Sequence, residues 1–303
     1  MTVVAETRAE LAAALATLRA GGASRASSTG SSSGAGSATL ALVPTMGALH
    51  EGHRALVARA RTLTDATVVS VFLNPMQFAP GEDLGRYPRT FASDLALCAA
   101  EGVAVVFAPD ADEVYPFGEP MVRVAAGELG AVLEGASRPG HFDGVLTVVA
   151  KLFGLVQPEV AVFGEKDAQQ LALVRRMVRD LDIPVSIEAV PIVRTPEGLA
   201  LSSRNKYLDE AAAEAALALS GAMTAAVSAA VGGATVDAVL GAAHQVLAAE
   251  PGIEVDYCVL VDPVSFDQLG PASTGRGLLL VAAKVGTTRL IDNADLVVTG
   301  GAR

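Results

Sequence analysis

Short apolar runs at residues 38–43, 67–73, 103–107, 160–163 and 185–193 are separated by segments whose apolar residues recur at helical spacing. Leu56, Ala60 and Leu63 mark one such segment, Leu95 and Ala99 a second, Leu146, Val149, Phe153 and Val156 a third, and Leu171, Val174, Val178 and Leu181 a fourth. A short continuous apolar run suits a strand covered on both faces, and strands that alternate with helices build a mostly parallel sheet through right-handed crossovers. The fold class is therefore α/β, and each strand-to-helix turn falls at the carboxyl edge of the sheet, where open α/β sheets bind ligands. Beyond about residue 195 the rhythm changes to Ala-rich helical sequence over 209–231 and 236–250, followed by strand-like runs at 255–261 and 278–283. Two domains are expected: a parallel-sheet domain over 1–194 and a smaller α+β domain over 195–303 that serves as a lid. Leu11, Leu15 and Leu18 place a helix near the start, and residues 21–37, almost all Gly, Ser and Ala, read as a surface loop. Gly30 to Gly34 matches Gly-x-Ser-x-Gly in form, but a nucleophile elbow needs a strand before it and a helix after it, so the match is a chance product of low complexity.

A chain of 303 residues with 51% hydrophobic content can fill sizeable cores. Its 22 basic and 33 acidic residues give a net charge of -11, which argues against nucleic-acid or anionic-membrane partners held by long-range attraction. An anionic ligand must then be held by local cations. Cys98 and Cys258 stand far apart without metal-ligand spacing, so two buried thiols in a reducing compartment are expected. The first ten residues lack a secretory pattern, and no apolar run is read as reaching the roughly 18 residues that span a bilayer. A cytoplasmic protein follows as the expectation.

The turn from Pro44 to His53 joins the first of these apolar runs to a helix. The start of a helix offers unpaired N–H groups and the positive end of a dipole to an anion, and His50 and His53 add side-chain donors. The two histidines are three apart, not the four-apart zincin pattern, and no third ligand accompanies them, so zinc is not expected. Neither a P-loop nor a dinucleotide fingerprint occurs. A second charged junction, Lys166-Asp167, follows the run 160–163, and Ser202-Ser203-Arg204 lies in a polar loop at the inferred domain boundary. Cations and neutral donors of this kind are what phosphoryl or nucleotidyl chemistry needs, because charge rises on the phosphate in the transition state and little covalent work falls to the protein. Asp167 could hold a ribose hydroxyl or a magnesium ion. Arg175, Arg176 and Arg179 read as water-facing helix charges.

Taken in order, 44–53 (Pro-Thr-Met-Gly-Ala-Leu-His-Glu-Gly-His), 74–78 (Asn-Pro-Met-Gln-Phe), 87–90 (Tyr-Pro-Arg-Thr), 138–145 (Arg-Pro-Gly-His-Phe-Asp-Gly-Val), 163–170 (Phe-Gly-Glu-Lys-Asp-Ala-Gln-Gln), 198–205 (Gly-Leu-Ala-Leu-Ser-Ser-Arg-Asn) and 289–293 (Arg-Leu-Ile-Asp-Asn) resemble the pantothenate synthetase (pantoate–β-alanine ligase) family. The resemblance runs over essentially the whole chain after the Gly/Ser-rich loop. It implies a Rossmann-like domain of the HIGH-type nucleotidyltransferase superfamily, a small carboxyl-terminal domain, a homodimer, and a two-step reaction that contributes to coenzyme A biosynthesis. ATP and pantoate give pantoyl adenylate and pyrophosphate, and the amine of β-alanine then displaces AMP.

What the resemblance implies about residues is specific. His50 and His53 match the histidines on the phosphates of ATP, and Lys166, Ser202, Ser203 and Arg204 match further phosphate ligands. Gly164, Asp167, Val193, Leu201 and Met46 fall at positions around ATP. Pro44, Met46, Gln77 and Gln170 match the pantoate pocket, with Asn74, Arg138 and His141 beside it. The family's acidic pair linked to magnesium falls at Ser93 and Asp94, so only Asp94 matches it, and ATP is left as the main carrier of Mg2+. Two other readings are weighed: a nucleotidyltransferase acting on another acceptor, which Gln77 and Gln170 speak against, and a silent ATP-binding protein, which the three intact phosphate clusters speak against.

Overall fold

A computed structural model describes residues 1–28, 38–79 and 82–300. The chain divides into two compact units, Met1–Glu165 with Leu173–Pro191, and Lys166–Ala172 with Ile192–Arg303.

In chain order the first unit carries β1 (Val3–Ala5), α1 (Arg8–Ser28), β2 (Leu40–Thr45), α2 (Glu51–Leu63), β3 (Ala66–Val71), α3 (Phe91–Ala100), β4 (Val105–Phe107), α4 (Ala111–Val114), α5 (Glu134–Ser137), α6 (His141–Val156), β5 (Val160–Gly164), most of α7 (Ala168–Asp180) and β6 (Ser186–Val190). The sheet is parallel throughout, in the order β1-β4-β3-β2-β5-β6. Alternation along β2 shows why its sequence is apolar without a break. Ala41 and Val43 join Val57 and Ala60 of α2 and Cys98 of α3 in one core layer, while Leu40 and Leu42 between them are equally buried and must face the other side. α6 packs on β2, and α1 packs on α6 and β1.

Strand order reverses at β2. It pairs with β3 along its whole length, from Leu40 opposite Ala66 to Thr45 opposite Val71, yet with β5 only through Ala41 and Leu42. The sheet therefore opens between the carboxyl ends of β2 and β5, the topological switch point at which doubly wound sheets hold ligands. Pro44, which has no N–H to give to a ladder, sits where the ladder to β5 has ended.

The second unit holds α8 (Glu210–Val231) and α9 (Val236–Ala249) against an antiparallel sheet of β7 (Ile253–Val261), β8 (Gly275–Val285) and β9 (Thr288–Val298). Its core is built from Ala216, Leu219 and Met223 of α8, Val239 and Leu247 of α9, and Leu279, Val281 and Ala283 of β8. Ala-rich faces let these helices approach closely.

Several expectations need correction. The segment read as a loop from residue 21 is helical as far as Ser28, α1 running on through Gly21 and Gly22 against their low helix propensity. Residues 29–37, and with them the Gly-x-Ser-x-Gly match, lie outside the described residues. Residues 138–144, a run with the turn formers Pro139 and Gly140, are loop only in part: α6 starts at His141, behind Gly140 in a left-handed conformation (φ 79°). α8 is, by length and composition, apolar enough to cross a bilayer, contrary to the sequence reading; its buried residues pack in the core of the second unit. The matched segment 289–293, not read as a strand, lies within β9, with Asp292 and Asn293 buried inside it.

Candidate active site

The turn between β2 and α2 is shaped by two consecutive left-handed residues, Gly47 (φ 84°) and Ala48 (φ 52°). It delivers the chain to α2 with His50 at the N-cap. His50 Nδ1 accepts the Gly52 N–H at 3.1 Å, and His53 Nδ1 accepts the His50 N–H at 3.3 Å. Two of the helix's orphan donors are thereby satisfied by imidazoles in place of the usual Ser or Asp. A ring nitrogen that accepts carries no proton, so each ring holds its proton on Nε2. The rings lie 4.1 Å apart at 50°. The local fold has converted two histidines into a pair of neutral Nε2–H donors.

Behind the turn, Asp94 of α3 is 2% exposed. Its Oδ2 accepts the Ala48 N–H at 3.0 Å, and its Oδ1 accepts the Leu49 N–H at 2.8 Å and the Thr90 hydroxyl at 3.1 Å. A cavity of ≈ 500 Å³ lies beside this contact, lined by Met46, Gly47, Val71, Phe72, Thr90 and Asp94 among others. A magnesium ligand needs lone pairs aimed at the ion, and three of the roughly four lone-pair sites of Asp94 are aimed at N–H and O–H donors. The residue matched to the metal is thus built into the turn. Among the described residues no cluster of three His, Cys, Asp or Glu could hold a metal ion.

The amides expected around pantoate form one chain of hydrogen bonds. Asn74 caps the short turn Pro75–Gln77, donates from Nδ2 to Gln77 Oε1 at 3.1 Å and to the Gly144 carbonyl at 3.2 Å, and accepts the Tyr115 hydroxyl at 2.8 Å. These bonds fix which way both amides point. Gln77 Nε2 lies 2.7 Å from Met46 Sδ, its donor toward a soft, weak acceptor. Gly144 is required here, since a Cβ would fall 2.2 Å from the Met76 carbonyl oxygen. Arg138 and His141 turn away from this chain toward the Gln77 main chain: Arg138 Nη2 donates to the Gln77 carbonyl at 3.2 Å, and His141 Nδ1 lies 2.8 Å from the same oxygen. That oxygen can only accept, so His141 carries its proton on Nδ1 and receives Arg138 Nη1 on Nε2 at 2.9 Å. Glu82 grips the other side of the guanidinium with both oxygens, at 3.0 and 2.7 Å. Burial works to raise the Glu82 pKa, but the hydrogen bond and charge of Arg138 overcome it and leave the carboxyl below its ordinary value.

The remaining matched residues fall elsewhere. Gly164 ends β5 beside the opened edge of the sheet. In the second unit, Lys166 and Asp167 form a short turn ahead of α7, Gln170 lies in the first turn of that helix, and the Lys166 carbonyl accepts Asn293 Nδ2 at 2.9 Å. Val193 and Leu201 meet across a small hairpin, joined by the Leu201 N–H to Val193 carbonyl bond at 2.9 Å. Arg194 braces that hairpin through a double contact with buried Asp292, at 2.6 and 2.8 Å. Ser202 caps the turn Ser203–Tyr207, its Oγ accepting the Arg204 N–H at 3.2 Å. Ser203 is buried. Tyr115, Glu82, Arg194, Asp292 and Asn293 were assigned no role from sequence. Tyr115 holds Asn74, Glu82 holds Arg138, Asn293 holds the Lys166 main chain and Asp292 holds Arg194, each from far away in the chain, and no local spacing reveals such a partner.

Comparison with known proteins places the chain in a family. A family model described as pantoate-beta-alanine ligase matches residues 13–295. A pantothenate synthetase of Leifsonia xyli subsp. xyli is 56% identical over 294 residues, 97% of this chain and 98% of that protein, and one of Saccharopolyspora erythraea is 58% identical over 263 residues, 86% of this chain and 84% of that protein. Among solved structures, a pantothenate synthetase from Thermus thermophilus has a TM-score of 0.86 at 45% identity, covering 96% of this chain and 98% of that one. A pantoate-beta-alanine ligase from Francisella tularensis, complexed with beta-gamma ATP and beta-alanine, has a TM-score of 0.74 at 30% identity, covering 97% of both chains. With the switch-point turn, the paired histidines and the matched residues all lying within the span shared with these proteins, the chain belongs to the pantoate–β-alanine ligase family.

Proposed function

We propose that this chain condenses pantoate with β-alanine at the expense of ATP, giving pantothenate, AMP and pyrophosphate. A carboxylate is a poor electrophile, and AMP supplies it with a leaving group. A pantoate carboxylate oxygen attacks the α-phosphorus as the bond to pyrophosphate breaks; the β-alanine nitrogen then attacks the acyl carbon of the bound adenylate, AMP leaves, and the amine loses a proton. The observation that carries the reading is the fixed tautomer of His50 and His53. Two Nε2–H donors set at a helix start suit phosphate oxygens whose charge grows in the first step. Lys166, Ser202, Ser203 and Arg204 are phosphate ligands by their match to the family. Gly164, Asp167, Val193 and Leu201 surround the nucleotide, and Mg2+ enters with ATP. Gln77 and Gln170 bind the oxygens of pantoate, Met46 and Pro44 its methyls, while Asn74, Arg138 and His141 hold Gln77 in place. The enzyme acts in the cytoplasm as a homodimer, a reading supported by its two free thiols and by the exposed apolar side chains of Phe117, Met121 and Val122.

The test is pyrophosphate exchange with ATP, magnesium and pantoate, followed by addition of β-alanine and detection of AMP and the amide. Absence of exchange sinks the ligase reading. Exchange without β-alanine-dependent AMP points instead to a nucleotidyltransferase. His50→Ala or Lys166→Ala should each lower exchange about 10²- to 10³-fold, as loss of a transition-state donor does, and near-normal exchange in either variant removes that residue from the role.

A further inference from the structure

We propose that Asp94 is a positioning residue for the histidine pair and not a ligand of magnesium. Both of its oxygens accept donors of the protein, which take three of the carboxylate's roughly four lone-pair sites: Ala48 N–H and Leu49 N–H from the turn, and the Thr90 hydroxyl. Those two N–H groups belong to the residues directly before His50, so the carboxylate fixes the point at which the N-cap histidine leaves the turn. The turn needs such a hold. Gly47 and Ala48 are left-handed, a conformation that a non-glycine residue like Ala48 adopts only at a steric cost. The ≈ 500 Å³ cavity lined by Gly47 and Asp94 leaves this side without continuous packing. Approach is tight where the groups do meet: a Cβ at Gly47 would stand 3.1 Å from Asp94 Oδ2. Asp94 in turn lies in the first turn of α3, whose N-terminal dipole favours its negative charge.

The inference rests on the phosphate-binding role proposed for His50 and His53. Asp94→Asn turns a donor toward one of the two N–H groups and should release the turn. Exchange in this variant should fall about 10²-fold in kcat, the order expected for a misplaced catalytic group, with little change in the KM for ATP and no shift in the magnesium concentration giving half-maximal rate. The chain has four histidines, so 15N spectra of labelled protein can follow each ring. The Nδ1-acceptor signature of His50 and His53 should be lost in Asp94→Asn while His244 is unchanged. A purely structural loss of stability would lower the melting temperature and leave those signals intact in the folded fraction. If Asp94→Asn does not fold, Thr90→Val removes one donor to the carboxylate and should give the same spectral change in smaller degree. The proposal is overturned if added magnesium restores the rate of Asp94→Asn, or if rate and histidine signals stay at wild-type values in the variant that folds. If wild-type protein itself shows no exchange, it is the ligase reading that fails; the histidine spectra then still decide whether Asp94 holds the turn.

Discussion

His50 and His53 are useful because their protons are placed by the backbone. Each ring gives up Nδ1 to a main-chain N–H, so neither can offer the wrong nitrogen without breaking the start of α2. His141 shows the opposite choice: a carbonyl at Nδ1 forces the proton there, which suits a brace and not a phosphate donor. The bidentate pair of Glu82 and Arg138 completes that brace. Because the folded Glu82 carboxyl lies below its ordinary value of 4.5, its stabilisation is fully present above that value and is lost as pH falls through the depressed one. In urea titrations across acid pH, Glu82→Gln should trail the wild type by a constant amount above about pH 5 and converge with it at the acid end; a constant difference at every pH would deny the ion pair its part.

At the scale of elements, the decisive feature is that β2 carries two different ladders. Its pairing with β3 reaches Thr45, whereas its pairing with β5 stops at Leu42, and the apolar run passes into functional sequence at that point. Repetition of strand and helix made the parallel sheet legible. β1, only three residues long, escaped because so short a strand has no periodicity. β9 goes unread for a different reason: Asp292 and Asn293 are poor strand formers taken alone, and only the fold shows that they hold Arg194 and Lys166. Helix starts follow ordinary rules where no function intervenes. Asp209 caps α8 by accepting the Ala212 N–H at 2.8 Å, so Asp209→Ala should lower stability by about 1 kcal/mol in denaturant titration without altering exchange activity.

In the whole molecule, both thiols are sealed into cores, Cys98 in the first unit and Cys258 in the second. Burial, helped at Cys98 by the negative charge of Asp94, pushes each from 9.0 up to about 11. Stability from keeping them neutral is complete below pH 9.0 and is lost as pH rises through about 11. Native protein at pH 8 should resist iodoacetamide at both sites and react only as urea unfolds it; rapid labelling of either thiol in the native state would contradict its burial. The order of residues alone was enough for the α/β class, the smaller α+β region and the strand-to-helix turn of His50 and His53, because hydrophobic period and strand-to-helix junctions are local properties. It took the folded chain to settle which nitrogen of each histidine holds the proton, why Asp94 faces the turn, and which distant residues hold Asn74, Arg138 and Lys166. Those outcomes depend on hydrogen-bond partners tens of residues away in the chain, which only folding brings within about 3 Å of one another.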